Sequence, residues 1–483
     1  SISPNTGSVS RYLSQLTATA GYQNFRYKID RLVDDIPYIN RKLGKFIYRF
    51  KRGLKGLLLT NNLFVDLGFE YVGPLNGHNI QQLEQMFRRA KKMNRPVIIH
   101  VITRKGKGYR PAEHDPSTFH GVGPFNISDG VVEKFDTVSF TEVFSRTVVS
   151  MAAKDPRICA ITAAMSKGTG LDAFSRRFKD RFFDVGIAEE HAVTFAGGLA
   201  AGGMVPLVAI YSTFIQRSVD QIIEDIALQE RHVILVFDRA GAVPADGETH
   251  QGIFDIALLR PIPNLTLLTV ASERDMELCL DWAVHEAAGP VAIRWPKMSC
   301  PSEIPAFTRP VMTGRGLLVK GEEFAPALSV ALEARDGDDG AQATAVKRRR
   351  KGRKSSDILL VCTGSMYSES LTAARSLLLK DISTDIYILR FLKPFDESYF
   401  LSIAEKYTAV VFIEDGVHIG GMAEYLDRLV SHGGRKGTKI ATAVLAFPDR
   451  FLHNGNREQI LEDAGLSPKD IAETAMRLLE QPA

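Results

Sequence analysis

Short apolar runs with the length and composition of β-strands recur along this chain, and segments of helical periodicity separate them. Five such runs follow one another through its middle, at residues 158–161, 205–210, 233–237, 265–270 and 291–294. Parallel strands need long crossover connections, which are usually helices, so this alternation is typical of a parallel sheet covered on both faces. The pattern predicts an α/β fold built on a mostly parallel sheet.

The chain is too long for one hydrophobic core. Its 483 residues correspond to about three domains of ordinary size. We expect residues 1–136 to be the end of one α/β domain, 137–310 a second, 311–331 a connector and 357–483 a third, smaller α/β domain. Residues 332–356 lack apolar periodicity and end in a basic run, which favours a flexible insertion.

Composition excludes several classes of protein. The net charge of +4 is small for this length and is concentrated in residues 347–354, so neither nucleic acid nor membrane is an expected partner. Four scattered cysteines without C-x-x-C spacing indicate neither a disulfide framework nor a zinc site. We expect a cytoplasmic protein, or one of a plastid-type organelle in a eukaryote.

Three polar segments contain residues that could carry chemistry. The first, residues 183–192, places Glu189 after small and apolar residues at the start of a Gly/Ala-rich helix. A partly desolvated carboxylate there could share a proton with a ring nitrogen of a bound heterocycle. The simpler alternative is that Glu189 and Glu190 complement the helix dipole.

The other two segments directly follow the predicted strands at residues 205–210 and 233–237. In residues 211–217, Tyr211 and Phe214 could stack on a planar cofactor and Arg217 could bind phosphate, although core packing and a surface ion pair are the simpler alternatives. In residues 238–252, Asp246 could bind a hydroxyl group and His250 could carry a proton, or His250 could simply stabilise a turn. No second histidine or cysteine lies at metal-ligand spacing there.

The three segments together resemble the pyrimidine-binding domain of the 1-deoxy-D-xylulose-5-phosphate synthases, a thiamine-diphosphate family of the transketolase superfamily. They are DVGIAEEHAVTFAGGLA at 184–200, YSTFIQR at 211–217 and DRAGAVPADGETHQG at 238–252. The resemblance continues at residues 390–396 and 447–451, and back through 73–78, 105–109 and 115–120. It covers nearly the whole chain apart from the insertion.

This resemblance implies a homodimeric transferase that uses thiamine diphosphate and Mg²⁺ to condense pyruvate with D-glyceraldehyde 3-phosphate. The products would be 1-deoxy-D-xylulose 5-phosphate, a precursor of isoprenoids, thiamine and pyridoxal, and CO₂. Glu189 would exchange a proton with the aminopyrimidine of the cofactor, and in this way make the cofactor's thiazolium carbon nucleophilic. The other implied roles are cofactor contacts for Phe214, Ile187 and Lys105, catalysis for His120 and His250, and substrate contacts for Tyr211, Arg217, Asp246, His250 and Lys297.

Two departures from the family pattern modify these expectations. Family members carry a GDG motif and an NDNEM-like run before the SISP segment, at which this chain begins, and those runs supply the magnesium ligands. We therefore expect no metal ligands in this chain, and weak cofactor binding or inactivity of the chain as given. Lys297 ends the tetrapeptide RWPK, where the family usually has an arginine that can bind phosphate with two parallel hydrogen bonds.

Two other functions stay open at this point. A transketolase or a pyruvate dehydrogenase β-type chain would share the chemistry of Glu189. A non-catalytic relative would instead use its remaining domains for dimerisation or for binding a partner through the basic insertion.

Overall fold

The structure, a computed structural model, describes residues 63–132, 137–324, 357–433 and 440–480. The chain divides into two compact units, Ser1–Lys134 and Phe135–Ala483. The predicted insertion at 332–356 lies outside the described residues.

The described part of the first unit is a small α/β arrangement around two parallel strands, with Glu70 opposite Val97. Asn79 caps the crossover helix by accepting a hydrogen bond from the backbone N–H of Gln82. In chain order the elements are α1 (Leu63–Asp66), β1 (Glu70–Asn76), α2 (Ile80–Ala90), β2 (Val97–Ile102), α3 (Arg110–His114) and a 3₁₀ turn, Thr118–His120.

The second unit begins with a seven-stranded sheet whose strands come mainly from its first half. Ser139 and Glu142 form a capping box that starts its first helix. In chain order the elements are α4 (Phe140–Lys154), β3 (Ile158–Thr162), α5 (Asp172–Arg177), β4 (Phe182–Asp184), α6 (Glu189–Ala201), β5 (Val205–Tyr211), α7 (Ser212–Ile215), α8 (Val219–Gln221), a π-helix (Ile222–Ala227), β6 (Ile234–Asp238), α9 (Asp255–Leu259), β7 (Thr266–Thr269), α10 (Glu273–His285) and β8 (Val291–Arg294). Short 3₁₀ turns lie at Lys179–Arg181, Gln216–Ser218, Glu248–His250 and Pro305–Thr308.

A five-stranded sheet follows in the same unit. Its elements are β9 (Leu317–Val319), α11 (Gly321–Phe324), β10 (Ile358–Thr363), a 3₁₀ turn (Gly364–Met366), α12 (Tyr367–Leu379), β11 (Thr384–Leu389), β12 (Phe391–Lys393), α13 (Glu397–Ala404), β13 (Ala409–Val417), α14 (Met422–Gly433), β14 (Ala441–Phe447), α15 (Arg457–Asp463) and α16 (Pro468–Glu480).

The two sheets are parallel except at one edge each. The seven-stranded order is β12-β7-β8-β6-β5-β3-β4 and the five-stranded order is β14-β13-β10-β11-β9. The antiparallel edge strands are β12 and β9. Strand β12 follows β11 of the five-stranded sheet in sequence but pairs in the seven-stranded one, and β9 comes from the predicted connector. The parallel α/β fold expected from the sequence is confirmed.

The cores of the two sheets are continuous. One cluster of fully buried side chains contains Val208, Leu235 and Phe237 of the first sheet together with Val361 and Tyr387 of the second. Burial of this apolar surface is the main force that holds the sheets together. Among the described residues, no helix has both the length and the apolar character needed to cross a bilayer.

Candidate active site

The predicted site residues of the second unit gather at the carboxyl edge of the seven-stranded sheet. The neighbouring strands β5 and β6 end together, with Tyr211 opposite Asp238. Strand β4 ends beside β3, with Asp184 opposite Thr162. Loops at this edge of a parallel sheet are where α/β proteins bind ligands.

A tight turn places Glu189 at the start of α6. The carboxylate of Asp184 accepts hydrogen bonds from the backbone N–H groups of Ala164 at 2.8 Å and Gly186 at 3.0 Å. The chain then enters α6 with Glu189 as its first residue, and only 3 % of that side chain is exposed. A carboxylate buried to this degree needs a hydrogen-bonding or charged partner.

That partner is Arg217. Its Nη1 donates to Oε1 of Glu189 at 2.6 Å, and its guanidinium carbon lies 5.0 Å from the centre of the Phe214 ring. The other side of Arg217 is open, since 46 % of the side chain is exposed. The family resemblance predicts that Arg217 binds substrate, whereas in this structure its guanidinium contacts Glu189 and Phe214.

Aromatic rings line the same region. The rings of Tyr211 and Phe214 are nearly parallel with centroids 5.8 Å apart, and His250 meets Phe214 edge-on at 5.4 Å. The hydroxyl of Thr213 donates to the backbone carbonyl of Thr249 at 3.0 Å, which ties α7 to the turn that carries His250. Among the predicted residues, Phe214 therefore contacts both Tyr211 and His250.

A cationic cluster lies on the other side of Tyr211. The guanidinium of Arg239 stacks 3.9 Å from the centre of the Tyr211 ring. Its Nε lies 3.9 Å from Oδ2 of Asp246, and the same oxygen accepts a 2.7 Å hydrogen bond from Nζ of Lys297. The structure thus brings together Tyr211, Asp246 and Lys297, three residues predicted to bind substrate.

Arg239 belongs to the candidate site but is not among the residues predicted from the sequence. Its backbone has a φ of 62°, a left-handed conformation that residues other than glycine seldom adopt outside turns and functional sites. The signal in the sequence is its place directly after β6, at the ligand-binding edge of the sheet.

Buried groups hold Arg239 against Tyr211. Asp238 is fully buried and accepts hydrogen bonds from Thr141 at 2.6 Å and from Arg239 at 2.9 Å. Burial raises the pKa of the Asp238 carboxyl, although the charge of Arg239 and the hydrogen bond from Thr141 oppose this effect. Arg239 also donates to the carbonyl of Gly168 at 2.8 Å. At Gly168 an added Cβ would lie 1.7 Å from the Tyr211 hydroxyl, so only glycine fits.

Burial also raises the pKa of the Tyr211 phenol, with the charges of Asp238 and Asp246 in the same direction and that of Arg239 against it. The hydroxyl therefore stays protonated at neutral pH and can donate a hydrogen bond.

The remaining predicted residues are Ile187 of the second unit and Lys105 and His120 of the first. Ile187 is in the turn before α6 and is 74 % exposed. Lys105 and His120 belong to the first unit, where Lys105 follows β2 and His120 ends a 3₁₀ turn. Partial burial, followed by the charge of Lys105, lowers the pKa of His120, so its imidazole is neutral at physiological pH. Within the described parts of the chain, no three His, Cys, Asp or Glu side chains cluster in a way that could hold a metal ion.

Family comparisons agree with this architecture. Residues 1–103 match the model described as 1-deoxy-D-xylulose-5-phosphate synthase, 136–302 the transketolase pyrimidine-binding domain, and 347–471 the transketolase C-terminal domain.

Two curated relatives are named 1-deoxy-D-xylulose-5-phosphate synthase and match nearly the whole of this chain. A 1-deoxy-D-xylulose-5-phosphate synthase from Treponema pallidum is 48 % identical over 479 residues, which cover 99 % of this chain and 70 % of the relative. One from Desulforudis audaxviator is 39 % identical over 475 residues, covering 98 % of this chain and 69 % of the relative.

Two solved structures share the fold. One, described as a split-gene transketolase in an inactive β4 tetramer, has a TM-score of 0.57 and 24 % identity and covers 71 % of this chain and 99 % of its own. A Pichia stipitis transketolase in complex with a sedoheptulose 7-phosphate has a TM-score of 0.53 and 16 % identity, covering 72 % of this chain and 46 % of its own. The matching domains and relatives show that this chain belongs to the 1-deoxy-D-xylulose-5-phosphate synthase family of thiamine-diphosphate-dependent, transketolase-type transferases.

Proposed function

We propose that this chain takes part in the condensation of pyruvate with D-glyceraldehyde 3-phosphate, which yields 1-deoxy-D-xylulose 5-phosphate and CO₂ for isoprenoid, thiamine and pyridoxal synthesis. The observation that carries the proposal is that Arg217 contacts both the buried carboxylate of Glu189 and the ring of Phe214. Tyr211 in turn contacts Phe214 and the cluster of Arg239, Asp246 and Lys297. An acid beside an aromatic surface suits a nitrogen heterocycle, and the cations suit a phosphate.

The residues around Glu189 fit the pyrimidine end of thiamine diphosphate. Glu189 would bind and protonate a ring nitrogen, Phe214 would pack on the face of the ring, and Ile187 would cover it from the turn before α6. Lys105 would be a further contact of the cofactor. When bound, the cofactor supplies a nucleophilic carbon and an electron sink for decarboxylation and transfer of the two-carbon unit. We propose no metal-binding role for any described residue, although the family uses a divalent metal.

The cationic cluster would hold the phosphorylated acceptor. Arg239 and Lys297 supply positive charge, and Asp246 orients both cations and can accept a hydroxyl proton. The protonated phenol of Tyr211 adds a donor at the same place. His250 and His120 would move protons at the reacting carbons, and Arg217 would contact substrate once it has left Glu189. We further propose that the enzyme acts as a homodimer.

The test measures product formation and CO₂ release from pyruvate and glyceraldehyde 3-phosphate, with thiamine diphosphate and Mg²⁺ present. Glu189→Gln keeps the size of the side chain but removes its acid, so we expect a rate loss of about 10²–10⁴-fold. Glu190→Gln is the matched control, since Glu190 follows it in α6 but is exposed, and it should change the rate less than twofold.

The proposal is wrong if Glu189→Gln keeps the full rate, or if the chain neither forms product nor binds thiamine diphosphate. A chain that uses ketose phosphates as donors in place of pyruvate is a transketolase in function.

A further inference from the structure

Arg217 makes the two contacts that the proposed function gives to the pyrimidine ring. It hydrogen-bonds the Glu189 carboxylate at 2.6 Å and lies 5.0 Å over the ring of Phe214. A guanidinium is planar and presents N–H groups along its edge, as a protonated aminopyrimidine does. Arg217 therefore contacts the two residues proposed to bind the pyrimidine, and it does so with a group of similar shape and hydrogen-bonding character.

The contact has a physical reason in the ligand-free protein. An ionised Glu189 with 3 % of its side chain exposed would be strongly destabilising without a positive or hydrogen-bonding partner. Arg217 provides both and adds a cation–π contact with Phe214. The α6 dipole adds a weaker favourable field at its first residue.

Arg217 can also leave without disturbing the core. Nearly half of its side chain is exposed, and it lies in the short 3₁₀ turn Gln216–Ser218 between α7 and α8. Rotation about its side-chain bonds would put the guanidinium in water, whereas the backbone of Glu189 is fixed by α6 and by the Asp184 turn.

We propose that Arg217 is a positioning residue that holds Glu189 in its ligand-binding orientation until the pyrimidine of the cofactor displaces it. This inference rests on the proposed function, because it takes the ring bound at Glu189 and Phe214 to be that pyrimidine. Cofactor binding then includes the cost of breaking the Arg217–Glu189 ion pair.

The sign of one binding measurement separates this role from the others. In Arg217→Gln the competing cation is gone, so thiamine diphosphate with Mg²⁺ should bind about tenfold more tightly in titration calorimetry, a gain of about 1.4 kcal/mol. If Arg217 contacts the cofactor or only supports the fold, the same substitution should weaken binding or leave it unchanged. Arg217→Lys keeps a positive charge beside Glu189, so its affinity for the cofactor should be close to that of the wild type.

A thermal readout tests the ligand-free state in the same proteins. Arg217→Gln should lower the melting temperature by about 2–4 °C, because Glu189 loses its ionic partner. The matched control is Arg176→Gln, which removes an exposed ion pair with Asp172 outside the site and should alter neither affinity nor melting temperature.

Glu189→Gln distinguishes the possible failures. If it does not weaken cofactor binding, the proposed function fails. If it does, while Arg217→Gln binds as the wild type or more weakly, only the role of Arg217 is overturned. No detectable binding by either wild type or Arg217→Gln also overturns it.

Discussion

Lys297 stands at a position where the family resemblance predicts an arginine. Its ammonium makes a 2.7 Å hydrogen bond to one oxygen of Asp246 and a longer one, 3.4 Å, to the carbonyl of Pro244. An ammonium is a compact, strongly hydrated charge, whereas a guanidinium offers two parallel donors to a carboxylate or phosphate. We therefore expect the anion subsite to be weaker here than in relatives with arginine.

Lys297→Arg tests this expectation. Because two parallel hydrogen bonds replace one, the Michaelis constant for glyceraldehyde 3-phosphate should fall about fivefold, a gain of about 1 kcal/mol. The constant for pyruvate should stay nearly the same. Steady-state kinetics with each substrate varied in turn give both values.

The control is Lys320→Arg, the same exchange in an ion pair with Asp385 that joins β11 and the residue before α11. It should leave both constants unchanged. If the constant for the aldehyde does not move in Lys297→Arg, or only that for pyruvate does, Lys297 does not contact the acceptor phosphate.

At the scale of elements, a buried glutamate holds the start of α14. Glu414, in strand β13, accepts a 2.6 Å hydrogen bond from the backbone N–H of Ala423 in the first turn of the helix. Burial, followed by the negative charge of Asp415, outweighs that hydrogen bond and raises the pKa of Glu414 to about 7. The carboxyl therefore loses its proton near neutral pH inside the fold, but near its ordinary value of 4.5 in the unfolded chain.

The sign of the pH dependence follows from this difference. A carboxyl whose pKa is raised by folding contributes stability that is complete below about pH 4.5 and is lost as the pH rises through 7. The difference of about 2.5 units corresponds to about 3 kcal/mol, an order-of-magnitude value. Glu414→Gln keeps the hydrogen-bond acceptor without the charge, so it should raise the melting temperature by several degrees at pH 8 and hardly at all at pH 5.

Thermal unfolding at the two pH values checks this, with Glu424→Gln, a change in the exposed part of the same helix, as the control. A Glu414→Gln protein that is less stable than wild type at pH 8 would show that the ionised carboxylate stabilises α14.

The sequence predicts the central strands well and the edges poorly. The runs at residues 158–161, 205–210 and 233–237 coincide with β3, β5 and β6, since continuous Val, Ile and Leu are typical of strands buried on both faces. Strands β4, β9 and β12 have only three residues each, too few to show a period. Their places depend on pairing between distant segments, which a local pattern does not contain.

The sequence predicts which residues belong to the candidate site, but not which of them contact each other. Glu189, Phe214, Tyr211, Asp246 and His250 are all visible in motifs that follow strands, because parallel sheets bring those loops to one edge. The ion pair between Glu189 and Arg217, 28 positions later, is not visible in the sequence. It depends on how α6 packs against the 3₁₀ turn after α7. The role of each residue in the reaction stays a prediction.

The whole second unit is joined by a buried ionic network between its two sheets. Arg294, at the end of β8, donates to Asp255 of α9 at 2.8 Å and to Asp415 of β13 at 2.7 Å, and all three side chains are buried. Burial raises the pKa of Asp415, but the charge of Arg294 and the hydrogen bonds from Ser365 and Thr363 outweigh it and hold the pKa below its usual value. Each of the three buried charges therefore depends on the others for its stabilisation.

Arg294→Met removes the shared cation and leaves two buried carboxylates without it. Breaking a buried pair from one side costs about 3–5 kcal/mol, and we expect a loss of that size in urea unfolding. Because Arg294 links β8 to β13, the variant should also unfold in two steps, whereas the continuous core gives the wild-type unit a single unfolding transition.

Asp415→Asn added to Arg294→Met removes one unpaired charge and should recover part of the loss. Arg176→Met, at an exposed ion pair, should stay within about 0.5 kcal/mol of wild type. A loss below about 1 kcal/mol in Arg294→Met, with a single transition, would mean that apolar burial alone holds the sheets together.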